Sequence, residues 1–338
     1  MNVAGHVVPP SKIATAGTCD CQTAALFYYR PVSTSGGNKA IIAAFAANTG
    51  IAVTKFVAWI FSGSPSMLAE GVHSLADSGN QLLLLFGARQ AKRSADREHP
   101  FGYGRERYVY AFVVSIILFS AGGVFSLYEG IEKVTHPHAI EVWWLPLGVL
   151  TVAIVLEGIS LRTAIKESNV IRGSQSWVEF IRRAKAPELP VVLLEDVAAL
   201  LGLVLAFVGV TATVLTGDGH WDAVGTIAIG VLLVLVAVVL GIETKSLLVG
   251  EGASDADRDE IFAAASADEQ IRSIIHMKTL YLGPEELLVA VKIALSPETT
   301  FRDVAATIDR LEARVRAAVP AARIIYVEPD VLAPPADG

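Results

Sequence analysis

Six long apolar runs dominate the chain, at about 41–61, 66–88, 108–130, 143–165, 190–215 and 221–248. At about 1.5 Å of rise per residue, each makes a helix long enough to cross a hydrocarbon layer of about 30 Å. The breaks carry turn chemistry: Gly63-Ser64-Pro65 after the first run, His136-Pro137 before the fourth, Gly217-Asp218-Gly219 before the sixth. After residue 250 the pattern shortens. Residues 254–267 and 299–318 have helical apolar spacing, while 271–281 and 287–295 read as strands parted at Gly283-Pro284, and 323–327 as a short final strand. The order αββαβ predicts a small sheet with helices on one face.

Composition agrees with a membrane protein. Of 338 residues, 53% are apolar and 18% charged, and the mean hydropathy is +0.51. A soluble domain carries about 25% charged residues, so a simple soluble enzyme is excluded. The net charge of −7 sits wholly in the C-terminal part: residues 1–250 hold 18 basic and 18 acidic side chains, residues 251–338 hold 9 and 16. That sign argues against nucleic acid as a partner. Cys19 and Cys21 are the only cysteines, which excludes a disulfide scaffold. Their C-x-C spacing suits a soft metal, or is incidental in a leader rich in Gly, Ser, Thr and Pro. The expected organisation is a disordered leader over 1–38, a six-span transport domain over 39–250, a cytoplasmic domain over 251–330 and a tail over 331–338.

Loop charge gives an orientation. Arg89, Lys92, Arg93, Arg97, Arg105 and Arg107 surround the second-to-third connection, and Arg162, Lys166, Arg172, Arg182, Arg183 and Lys185 the fourth-to-fifth. The leader adds Lys12, Arg30 and Lys39, whereas the loops of the opposite side carry Lys133 alone. By the positive-inside rule both termini face the cytoplasm.

Ionisable groups at membrane depth are expensive unless paired or hydrated, which makes them functional candidates. The second run contains Glu70, His73 and Asp77. His73 and Asp77 are four apart and share one helix face. An imidazole nitrogen and a carboxylate converging from one helix suit a borderline divalent cation such as Zn2+. The bland alternative is a His–Asp hydrogen bond that serves packing. Glu195 and Asp196 open the fifth run; adjacent helical residues point about 100° apart, so one of them faces the bundle interior better than the other. Glu157 lies in the fourth run and Asn48 in the first, the latter also explained by an interhelical hydrogen bond. Counting residues places His73, Asp77 and Glu157 near the midplane, with Asp196 and Asn48 closer to the cytoplasm. Acids on several helices at similar depth fit a shared cation pathway. Lys55 has no assigned role.

Two motifs carry a family resemblance: Ala69-Glu70-Gly71-Val72-His73-Ser74-Leu75-Ala76-Asp77-Ser78 and, in the following loop, His99-Pro100-Phe101-Gly102-Tyr103-Gly104-Arg105. With six spans and a C-terminal αββαβ unit, residues 38–330 resemble the cation diffusion facilitator family. Glu195-Asp196 and Leu280–Leu288 look more like its zinc-transporter-nine-type branch. The resemblance implies an all-α six-helix transmembrane bundle followed by a cytoplasmic α+β ferredoxin-like domain, working as a homodimeric divalent-cation/proton antiporter. It is not an enzyme and holds no resident cofactor. The metal is cargo, Zn2+ first, Mn2+ and Fe2+ second, and protons and the lipid bilayer are its other partners. The membrane is the plasma (inner) membrane if the host is bacterial.

The family's site takes an H/D-x-x-x-D pair from the second span and another from the fifth. His73 and Asp77 match the first pair and Asp196 the last position, but Val192 stands where the fourth ligand belongs. Glu195 or Glu157 supplies the missing oxygen, with Asn48 third in line. In the C-terminal domain His276 is the only histidine after residue 250, with Glu328 and Asp330 the nearest acids, so dimerisation is its expected role. His99 sits in a Pro-Gly setting that reads as a structural turn. A metal sensor or scaffold that has lost transport is the rival class, and an intramembrane metalloenzyme lacks an H-E-x-x-H pair.

Overall fold

The computed structural model describes the backbone of residues 35–62, 65–136 and 143–331 and, within these, side chains other than those at 35–37, 62, 65–70, 72 and 73. The leader with Cys19 and Cys21, and the tail after 331, lie outside the described residues. Each apolar run is helical. In chain order the helices are α1 (Ser35–Ser62), α2 (Pro65–Gln90), α3 (Glu106–Thr135), α4 (Trp144–Arg172), α6 (Glu188–Thr216) and α7 (His220–Val249), with a short α5 (Trp177–Arg183) between α4 and α6. Among the described residues α1, α3, α4, α6 and α7 are long and apolar enough to cross a membrane. The chain is therefore a multi-pass membrane protein. At 26 residues α2 spans about 39 Å, but Asp77, Ser78, Asn80 and Gln81 dilute its hydropathy.

The motif-bearing helix lies inside a group in which α1 packs on α2 and α4, and α4 on α6. Their buried faces meet in one apolar core that includes Ile41, Leu84, Ala164 and Val192. Along α3, a π-helical turn at Leu118–Val124 interrupts the α-helical ladder. Gly123 within it allows close approach to α7: a Cβ there would stand 2.6 Å from Val234 Cγ2.

Short α5 is absent from the sequence expectation. Its signal is local, since Ser176 Oγ accepts from Glu179 N at 3.1 Å as an N-cap and Ser176-x-x-Glu179 is a capping-box spacing.

The C-terminal part follows as α8 (Asp255–Ser266), β1 (Ser273–Gly283), β2 (Glu286–Leu295), α9 (Phe301–Ala318) and β3 (Ala322–Val331). This reproduces the αββαβ order. β2 is the central strand, antiparallel to β1 and parallel to β3. Its alternate residues Leu287, Val289, Val291 and Ile293 are buried with Ile261, Leu311 and Val315 of the helices in a second core. β3 runs past the expected 323–327 to Val331 and through Pro329. An edge strand tolerates a proline because one side of its ladder is unpaired.

The loop motif before α3 folds as the turn its composition suggests. Asp96 Oδ1 accepts from His99 N (2.7 Å) and Glu98 N (3.0 Å), and Tyr103 OH donates to Asp96 Oδ2 (2.6 Å). The Tyr103 bond is the main cause that holds the Asp96 carboxyl below its usual range. Gly104 lies against the β1–β2 turn, where a Cβ would stand 2.6 Å from Leu282 O. His276, on β1, pairs in register with Lys292, and Lys292 Nζ holds Glu328 and Asp330 at 2.9 Å each. The acids nearest His276 are thus engaged by an ammonium.

Candidate metal centre

Four helices bring polar side chains into the bundle interior over about two helical turns. Asn48 and Lys55 come from α1, Ser74, Asp77, Asn80 and Gln81 from α2, Glu157 and Ser160 from α4, Glu195 and Asp196 from α6. Burial is nearly complete: Glu157 and Asp196 are 1% exposed, Glu195 6%. The two adjacent acids divide as the 100° helical step requires. Asp196 turns to α4, where Ser160 Oγ donates to its Oδ2 at 2.7 Å. Glu195 turns to α2, where Asn80 Nδ2 donates to Oε1 at 3.0 Å and Gln81 Nε2 to Oε2 at 2.8 Å.

Asp77, Glu157, Glu195 and Asp196 lie near enough to feel one another's charge. Carboxylates gathered out of water need compensating positive charge. A divalent cation supplies it two charges at a time, protons one at a time. Glu157 differs from its neighbours in one respect: its Oε1 is buried and has no hydrogen-bond partner.

The expected residues fare unequally. Asp77, Glu157, Glu195 and Asp196 gather on three helices. Asn48 stands one step back, its Nδ2 donating to Gln81 Oε1 at 3.5 Å. Val192, four residues before Asp196, is fully buried and apolar. The His73 side chain lies outside the described residues. Among the described residues no three His, Cys, Asp or Glu side chains converge closely enough to form a metal cluster.

Sequence reasoning missed Asn80, Gln81 and Ser160, and gave Lys55 no role. Asn80 and Gln81 follow Asp77 by three and four, the spacing that keeps residues on one helix face, so that spacing was the available signal. Lys55 is 6% exposed and donates to Ser74 Oγ at 2.9 Å.

At the end of the bundle nearer the C-terminal sheet, two basic residues form close ion pairs. Arg107 binds Glu188 with two donors, the Nη2–Oε2 contact at 2.8 Å. Lys185 meets Glu251 at 2.5 Å.

Carboxylates buried on neighbouring helices of a multi-pass membrane protein are the kind of groups that membrane cation carriers use. Comparison with known proteins narrows the class. A family profile described as the cation efflux transmembrane domain matches residues 41–249, more than half of the chain. The human protein named proton-coupled zinc antiporter SLC30A9, mitochondrial, is 30% identical over 264 residues, covering 78% of this chain and 45% of its own. Metal tolerance protein C4 of Arabidopsis thaliana is 29% identical over 248 residues, covering 73% of this chain and 54% of its own. The cation-efflux pump FieF of Klebsiella pneumoniae is 26% identical over 302 residues, covering 88% and 95%. The chain belongs to the cation efflux, or cation diffusion facilitator, family, in its SLC30A9-like branch. It spans about half the length of the first curated relatives it matches.

Proposed function

We propose that the protein is a divalent metal cation/proton antiporter that exports Zn2+ from the cytoplasm by alternating access, with Mn2+ and Fe2+ as secondary cargo. The observation that carries this reading is the set of buried carboxylates Glu157, Glu195 and Asp196, with the half-buried Asp77 of α2 beside them, whose charge a cation or protons can balance in alternation. The names of the human relative, a zinc antiporter, and of the Klebsiella relative, a cation-efflux pump, support it.

The ion binds His73, Asp77 and Asp196. Glu157 gives the fourth ligand, because its Oε1 is bare while both Glu195 oxygens already accept from carboxamides. Glu195 then positions, and Asn48 supports Gln81. Ligands must lose protons before the ion binds, and protons arriving from the opposite side displace it. The unperturbed imidazole pKa of about 6.5 suits His73 to that exchange.

In this reading α2 is a sixth span, both termini face the cytoplasm, and the C-terminal αββαβ unit is ferredoxin-like and joins two copies. The rival, a transport-inactive metal sensor or scaffold, draws on the apolar Val192 at a ligand position. Proteoliposomes under an imposed pH gradient separate the two. Zn2+ uptake that needs the gradient and disappears in Asp77→Ala supports the antiporter; no flux of any metal from folded protein overturns it.

A further inference from the structure

From Ala40 to Ser62, α1 carries one charged residue, Lys55. A long cationic side chain near the end of a membrane helix usually reaches for water at the surface. Lys55 turns inward instead. It is 6% exposed, and its Nζ donates to Oγ of the buried Ser74 on α2 at 2.9 Å. An ammonium inside a membrane bundle is expensive to keep unless negative charge lies near it. Ser74 precedes Asp77 by three residues, the spacing that puts side chains on one helix face. Glu70, four residues before Ser74, shares that face by position, and its side chain lies outside the described residues.

Three contacts fix how α1 and α2 line up. Asn48 meets Gln81, Thr49 Oγ1 meets Ser78 Oγ at 3.3 Å, and Lys55 meets Ser74. The two helices are therefore antiparallel, and of these contacts Lys55–Ser74 lies furthest along α2 from Gln81, a donor to Glu195. Asp77 stands between, about one helical turn from Ser74 on one side and from Asn80 and Gln81 on the other. With both termini in the cytoplasm, the carboxamides lie on the inner side of Asp77 and the ammonium on its outer side.

Resting on the antiporter reading, we propose that Lys55 is a tethered counter-cation of the transport site, competing with the transported divalent cation for Asp77. Like charges about one helical turn apart repel, the more so where little water screens them. The ammonium thus lowers the affinity of the site and shortens the time the ion stays. Once the ion has left, it keeps one positive charge beside the carboxylates, so the emptied site needs one proton fewer.

Substitution separates the charge from the hydrogen bond. Lys55→Gln removes the charge and keeps an N–H for Ser74; Lys55→Met removes both. The test is Zn2+ binding to the purified full chain by equilibrium dialysis. Both variants are expected to bind Zn2+ about 10-fold tighter than wild type, equivalent to about 1.4 kcal/mol. A lysine that only holds α1 against α2 gives the opposite sign, because loosening the support of a site weakens it. Unchanged or weaker binding in Lys55→Gln would overturn the inference, and that variant decides alone if Lys55→Met fails to fold. The gain should persist beside Glu70→Gln and vanish beside Asp77→Ala. A gain lost with Glu70→Gln makes Lys55 the partner of Glu70, and one that survives Asp77→Ala places the extra Zn2+ elsewhere; either result overturns the competition for Asp77. So does a wild-type chain that binds no Zn2+. Flux under a pH gradient is scored separately: binding without gradient-driven flux sinks the antiporter and leaves the dialysis comparison standing.

Discussion

Glu157 and Glu195 offer the same chemical group inside the bundle, and the proposed function gives them opposite duties. Replacing each by Gln removes one negative charge with little change of shape. At Glu157 the bare Oε1 has no partner to lose within the protein, so the loss falls on the ion. Loss of a group that ligates or orients metal costs about 10–100-fold in affinity, or about 1.4–2.7 kcal/mol. Thermal stability should hold or rise, because a buried charge has been removed.

At Glu195 the loss falls on the fold. Its two oxygens accept from Asn80 and Gln81 at 3.0 and 2.8 Å, and an amide NH2 in place of one oxygen would face a donor. A buried donor left unpaired costs about 1–3 kcal/mol. The lower end applies, because the unpartnered Asn80 Oδ1 can turn to accept from the new amide. Glu195→Gln should therefore lower the unfolding midpoint and change Zn2+ affinity by less than about 3-fold, under 1 kcal/mol. Equilibrium dialysis and thermal unfolding of the two variants, side by side, read both quantities. A Glu195→Gln chain that keeps its midpoint and loses Zn2+ about 100-fold, beside a Glu157→Gln chain that binds normally, would refute the assignment.

Three further outcomes are expected. Asp196→Ala should abolish gradient-driven uptake in proteoliposomes while the purified chain stays folded, whereas His73→Asp should keep uptake and move preference from Zn2+ toward Mn2+. Asp268 is 4% exposed and accepts from Arg310 Nε at 2.8 Å, the main cause that holds its carboxyl below the usual value. A folded-state pKa below the unfolded value of about 3.9 gives stability that is present above pH ~4 and lost as pH falls through the folded pKa. Asp268→Asn should flatten that acid loss in thermal scans from pH 3 to 6, at a cost near neutral pH of about 1 kcal/mol once screening of the half-exposed arginines is allowed for. Gly104→Ala should destabilise by about 1–3 kcal/mol, because its methyl would meet Leu282 O at 2.6 Å; an unchanged midpoint in thermal unfolding would show that this contact gives way freely.

What the sequence made legible is what one element fixes by itself. Apolar runs set the helices, and alternation set β1 and β2, because both patterns are written in consecutive residues. Asp77, Glu157, Glu195 and Asp196 were legible for a related reason: a carboxylate in an apolar run stands out whatever it touches. The partners were harder to read. Asn80 and Gln81 look like ordinary polar interruptions until α6 places Glu195 against them, and Ser160 until Asp196 does. The expected strand stops at residue 327, yet β3 continues through Pro329 to Val331, since the edge position that tolerates a proline is a property of the sheet.

The adjacent acids show both halves of this argument at once. A helical step of about 100° forces Glu195 and Asp196 apart, and that much is geometry any helix imposes. Which acid is tied up depends on neighbours: two carboxamides reach Glu195, one hydroxyl reaches Asp196. A carboxylate with both oxygens engaged is held in place and poorly available to an ion. One with a single donor on Oδ2 keeps its other oxygen for a cation. The family position that matches Asp196 is thus the one the packing leaves open, and the bare oxygen of Glu157 faces the same need for positive charge.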